Sequence, residues 1–289
     1  MDDLRLWDSP NRLVEGIYST DNYEVIDYDN GKICYIFFSS NGLFFPDTIS
    51  QFKETIIDKN RYEWKRMATG KEIISKSGRH IFVRDIYKQW YTKGISNTVN
   101  SIDKMIPLLK TLTEGYEVIT VGSSAGGYIA ALVAAKLSAK CCFDFSGQIS
   151  LWEVSKTNPF VKEGINYEEV KKYYDITKMI GESECIYYYF YPQYNERDVR
   201  QFAQIKTYPN VRGFSFKEKN HAATMLAGNM RYIICRDYTY MNTLYHHYSE
   251  KKINKIEFLF RTVPFSKALL ILYKEIRHYI ERRVKHIEK

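Results

Sequence analysis

Residues 116–147, "YEVITVGSSAGGYIAALVAAKLSAKCCFDFSG", constrain the chain more than any other stretch. An apolar run of strand character enters a cluster of small residues and leaves as an apolar, alanine-rich run of helical character. Three readings compete for the cluster: a phosphate cradle, a plain tight turn, or a turn that holds a reactive serine in the open. A cradle needs G-x-x-x-x-G-K-[ST] or G-x-G-x-x-G, and neither is present. Gly122-Ser123-Ser124-Ala125-Gly126 fits G-x-S-x-G, with Ser124 at the nucleophile position. A sharp strand-to-helix turn crowds its neighbours, so the residues two before and two after must be small; both are glycine, and Gly127 adds further room.

The rest of the chain repeats this rhythm. "NYEVIDYDNGKICYIFFSS" reads as two β runs joined as a hairpin through Asn30-Gly31. Residues 47–58 and 97–112 read as helices, the latter with a possible kink at Pro107, and 79–85 as a short strand. Strands follow at 140–147, 184–191 and 210–216, with a helix at 198–206. Strands alternating with helices imply an α/β fold: a mostly parallel sheet with helices on both faces. Residues 148–180, polar and aromatic, interrupt the pattern and are expected to form a small cap beside the C-terminal edge of the sheet, where such sheets bind ligands. The expected organisation is one catalytic domain over 1–250 and a helical tail over 251–289.

A serine hydroxyl needs a base to take its proton. Of the six histidines, His221 follows the last strand of the pattern, in a loop from which it can reach the serine. The imidazole needs an acid to fix its tautomer. Glu196 and Asp198 both follow the preceding strand; Asp198 is the candidate, its other reading being the N-cap of the next helix. The order Ser124, Asp198, His221 differs from that of the two best-known protease arrangements. For the oxyanion, the backbone N–H of Ala125 lies at a helix start, and Ser40 or Asn41, in the loop after an earlier strand, is expected to supply a second.

With these residues in hand, 116–221 resembles the α/β-hydrolase superfamily: strand, G-x-S-x-G elbow, helix, late acid, final histidine. The H-G-G-G oxyanion loop of esterases and lipases is missing, and no lipase-type lid is evident. More narrowly, the GSSAGG elbow is similar to that of α/β-hydrolase-type O-acetyltransferases of bacterial capsular or surface polysaccharide. That likeness implies an acetyl group passed to a carbohydrate hydroxyl through an acyl-enzyme, with acetyl-CoA as donor and no bound cofactor or metal. The alternatives are a carboxylic-ester hydrolase with the same triad and an inactive hydrolase-fold binding module. "RDIYKQWYTKG" (84–94) resembles a feature of poorly described relatives, and its Asp85, Trp90 and Tyr91 are candidates to line a sugar site.

Charge and cysteines bound the partners. The net charge is +8, and residues 251–289, with 11 Lys/Arg against 4 Asp/Glu, hold +7 of it. The near-neutral remainder, with no recognisable module, argues against nucleic-acid binding. Five cysteines without a C-x-x-C pair argue for a reducing compartment and against structural zinc. The N-terminal residues carry no signal-peptide pattern, so a cytoplasmic location is expected, either free or peripheral to the inner face of the membrane. In the tail, Leu269, Tyr273, Ile276, Ile280, Val284 and Ile287 form one helical stripe, with Lys274, Arg277, Arg282, Lys285 and Lys289 over the remaining surface. Such a helix suits an anionic membrane, an acidic polysaccharide or a partner helix, or docks on its own domain.

Overall fold

The computed structural model describes residues 4, 11–158, 161–162, 168–222 and 224–287. Eight strands form one sheet: β1 (Tyr23–Asp27), β2 (Ile33–Phe38), β3 (Ser77–Val83), β4 (Glu117–Ser123), β5 (Cys141–Phe145), β6 (Ile186–Pro192), β7 (Val211–Phe216) and β8 (Lys252–Ile253). Their order is β1-β3-β2-β4-β5-β6-β7-β8, and all neighbouring pairs are parallel except β1 with β3. Among the described residues seven helices have eight residues or more: α1 (Ile102–Leu112), α2 (Ala125–Lys136), α3 (Glu196–Ala203), α4 (Ala227–Ile234), α5 (Tyr238–Tyr248), α6 (Lys255–Thr262) and α7 (Phe265–Ile287).

Strand alternation sorts the core into two layers. Cys34, Ile36 and Phe38 of β2 face the layer that holds α1 and α2, while Tyr35 and Phe37 face the layer of α4, α5 and α6. Every residue of α2 from Ala125 to Ala134 is buried. Its alanines and glycines let the helix backbone approach the sheet closely, which fixes the position of the turn that precedes it.

The expected hairpin at Asn30-Gly31 does not form. β3 lies between β1 and β2, antiparallel to the first and parallel to the second. The turn signal is local, whereas the pairing follows burial: β2 is buried along nearly its whole length and takes two parallel neighbours, leaving the less buried β1 at the edge. Residues 148–180 contribute short helices at Leu151–Ser155, Glu168–Lys171 and Thr177–Gly181. Tyr173, Tyr174, Ile176 and Ile180 join the core beneath α2, and the Tyr128 hydroxyl donates to the Tyr173 carbonyl at 2.6 Å.

The boundary expected at residue 251 falls inside the body, because β8 extends the sheet and Phe258 of α6 is buried against Phe214 and Phe216. No described helix is long and apolar enough to cross a membrane. All five cysteines are free thiols.

Candidate active site

Ser124 stands between β4 and α2 with φ 53° and ψ −120°, a backbone conformation that costs about 1–3 kcal/mol for a residue with a side chain. Its N–H donates to the Phe145 carbonyl at 3.0 Å and its carbonyl accepts from Tyr128 at 3.0 Å, so both sides of the turn are tied down. The glycines are needed for space. A Cβ at Gly122 would stand 2.0 Å from the Gly126 carbonyl oxygen, and one at Gly126 would stand 2.4 Å from that of Phe38. At Gly127 the space serves something else: a Cβ there would lie 2.4 Å from Asp144 Oδ1.

His221 lies in the loop after β7, with Nε2 2.8 Å from Ser124 Oγ and Nδ1 2.7 Å from Asp198 Oδ1. Asp198 is 1% exposed, while the His221 side chain is 42% exposed. In the tautomer whose Nδ1–H donates to Asp198, the Nε2 lone pair faces the serine hydroxyl. Asp198 does not cap its helix. That role falls to Asn195, whose side chain accepts from the Arg197 and Asp198 N–H groups and leaves the Asp198 carboxylate for the imidazole. Glu196 points away: its side chain is 90% exposed and lies 3.7 Å from Arg200. The loops carrying acid and base are joined, Tyr194 N–H donating to the Glu218 carbonyl at 2.9 Å and Asn195 Nδ2 to that of Lys219 at 3.1 Å.

Around the elbow, the Ala125 N–H is the first of its helix and makes no hydrogen bond among the described residues. The two candidates for a second donor separate. Ser40 N–H donates to Glu63 Oε2 at 2.5 Å and its hydroxyl to Glu63 Oε1 at 3.0 Å, so that N–H is already committed. Asn41 N–H makes no bond among the described residues, and its side-chain amide donates to the Lys88 carbonyl at 3.3 Å. Asn41 therefore replaces Ser40 as the donor candidate.

Asp85, Trp90 and Tyr91 do not line an open surface. All three are buried, which corrects the expectation of a sugar-binding role. Lys88, Trp90 and Tyr91 have φ of 54°, 54° and 60°, and the Asp85 carboxylate holds this contorted loop by accepting from Tyr87, Gln89 and Tyr91 N–H groups. Trp90 Nε1 donates to Gln148 at 2.8 Å, and the Tyr91 hydroxyl to the Ser39 carbonyl at 2.7 Å. Tyr91 thereby braces the loop after β2, while Asp85 and Trp90 hold the 85–91 loop in place.

Two residues that pattern reasoning passed over shape the site. Glu63 fastens Ser40, and burial holds its carboxyl above the usual range, an effect opposed by the two bonds from Ser40. Nothing near residue 63 in the sequence signals this. Asp144, inside β5, is 1% exposed; Oδ1 accepts from Gly147 N–H at 2.6 Å and Oδ2 has no partner. Burial raises its pKa to about 8, and the Asp198 charge adds to the shift. A lone carboxylate in the apolar run "CCFDF" was the available signal.

No protein-family model and no curated protein matches the sequence. Among solved structures the chain is similar to a capsule O-acetyltransferase of Neisseria meningitidis serogroup A, solved in complex with caged gadolinium. The TM-score is 0.52 at 13% identity, over 78% of this chain and 92% of that one. It is also similar to 2,6-dihydroxy-pseudo-oxynicotine hydrolase, with TM-score 0.49, 13% identity and coverage of 81% and 66%. A third is acylaminoacyl peptidase of Pyrococcus horikoshii, with TM-score 0.45, 10% identity and coverage of 77% and 38%. With its parallel sheet, its strand–elbow–helix unit and the first of these likenesses, the chain has the α/β-hydrolase fold.

Proposed function

We propose that the protein is a serine acyl-transfer enzyme that moves an acetyl group from acetyl-CoA to a carbohydrate hydroxyl, in the modification of a surface polysaccharide. The observation that carries the reading is the unbroken chain of hydrogen bonds Ser124 Oγ, His221, Asp198 at 2.8 and 2.7 Å, with the serine on a positive-φ turn. The likeness to a capsule O-acetyltransferase supports the choice of acyl group and acceptor.

In the first half-reaction His221 Nε2 takes the Ser124 proton as Oγ attacks the thioester carbonyl. The Ala125 and Asn41 N–H groups would hold the oxyanion, and Asp198 would stabilise the imidazolium. As the C–S bond breaks, His221 returns its proton to the departing thiolate, leaving acetyl-Ser124 and free thiol. In the second, His221 deprotonates the sugar hydroxyl, which attacks the acetyl carbonyl; the C–O bond to Ser124 breaks, and the proton passes from His221 to Oγ. With an ester as donor, whose departing alcohol takes the His221 proton, and water as acceptor, the same steps give ester hydrolysis, so hydrolase activity is the second reading. The formed triad speaks against an inactive binding module.

The test is to incubate the protein with acetyl-CoA and follow free thiol, with and without glycan acceptors, in wild type and Ser124→Ala. Thiol release that rises with a glycan and yields acetylated sugar supports transfer. Release unaffected by any acceptor, together with turnover of simple esters, selects the hydrolase. Equal release by Ser124→Ala overturns both.

A further inference from the structure

We propose that α7 lies flat on an anionic lipid surface and anchors the enzyme there. Among the described residues its root is the part buried against the body. Ala268 and Ile271 are buried and Leu272 packs beside them, with Ile271 against Gly228 of α4. Beyond the root, among the described side chains, Leu269 and Leu270 are 46% exposed, Tyr273 63%, Ile276 50% and Ile280 54%. This settles the fate of the stripe over the described side chains, because docking on the chain's own domain ends at the root; Val284, Ile287 and the charged positions from 282 lie outside them.

Successive residues of a helix turn by about 100°, which places Ile276, Leu269, Ile280 and Tyr273 within an arc of about 60°. Tyr279 and Phe265 border that arc on one side. Exposed Lys267 and Lys274 lie away from it, with Arg277 between, beside Leu270. Over 265–287 the sequence has six Lys/Arg against Glu275 and Glu281. An apolar arc with tyrosines at its border and lysines above it matches a helix lying in the headgroup region, its apolar side in the acyl boundary and its ammonium groups among phosphates. At about 1.5 Å per residue its 23 residues reach about 35 Å, enough to span, but no described helix is apolar enough to do so. It lies on the surface and does not cross it. Charge complementarity decides against the rival occupants: a second copy would bring two net-positive helices together, and an acidic polysaccharide would leave the apolar arc in water.

The experiment is co-sedimentation of the full chain with phosphatidylcholine vesicles and with phosphatidylglycerol-rich vesicles, at low and high salt. Wild type is expected to bind the anionic vesicles, to bind the neutral ones weakly, and to release as salt rises. Ile276→Asp with Ile280→Asp alters exposed positions only, so the fold and small-ester turnover should persist while binding falls at least tenfold. Lys267→Ser and Lys274→Ser should each weaken it about fivefold. Equal binding to both vesicle types, or none, overturns the proposal. So does a concentration-dependent dimer, or capture by an acidic polysaccharide without vesicle binding, that the Ile276/Ile280 pair abolishes. Thiol release from acetyl-CoA is read separately, so failure of the anchor and failure of the proposed activity remain distinguishable.

Discussion

At Asp198 the choice between two neighbouring carboxylates rests on distance and burial. Asp198→Asn keeps the shape but loses the acceptor that holds Nδ1–H, and kcat is expected to fall by about 10⁴-fold. Glu196→Gln, out on the surface, should leave kcat within about twofold, since such substitutions rarely reach a site. Steady-state turnover of one ester by both variants checks this; matching losses would remove Asp198 from the triad. Asp144 gives a pH dependence. Folded, it stays protonated up to about pH 8, whereas in the unfolded chain it ionises near 4. Between those values the folded state binds one more proton, so stability falls as pH rises, by about 1.4 kcal/mol per pH unit where the difference is a whole proton. Asp144→Asn, which keeps an oxygen for Gly147 N–H, should flatten this slope in urea titrations run from about pH 5 to 8. An unchanged slope would show that Asp144 ionises in the folded state as it does in water.

The elements that hold the site are the elbow helix and the loop after β2, and they meet at Gly126. Gly126→Ala pushes a methyl into the Phe38 carbonyl at 2.4 Å, and overpacking of this kind costs about 1–3 kcal/mol. Because Phe38 leads directly to Ser40 and Asn41, its activity loss should exceed what the fall in Tm alone predicts; fluorophosphonate labelling rate against melting temperature measures both. Glu63→Ala should likewise lower kcat with little change in Tm, and Glu63→Gln, which retains an acceptor for Ser40 N–H, should recover part of it. These contacts mark where the sequence was legible and where it was not. The elbow could be read because its steric demand lies within five residues, and the placement of Asp198 and His221 beside it because each follows a strand. Ser40 and Asn41 are not told apart in the sequence because the Glu63 that engages Ser40 is 23 residues away. Asp85, Trp90 and Tyr91 were misjudged because polar and aromatic side chains that brace a loop look the same in sequence as those that bind a ligand. The Asn30-Gly31 hairpin failed because a turn is local, while the strand that enters beside it begins at Ser77.

Across the whole molecule, the alternation of strands and helices made the parallel sheet readable, while its order was not, since order depends on pairings between distant segments. Ser124, Asp198 and His221 are carried at the ends of β4, β6 and β7, with β5 between, and the two hydrogen bonds that join them span 97 and 23 residues. Closing such separations is what slows the folding of sheets rich in non-local pairs. Reactivity of the proposed nucleophile therefore doubles as a clock for assembly: on dilution from denaturant, helical circular dichroism should recover first, and reaction of Ser124 with a fluorophosphonate only once β4 to β7 stand side by side.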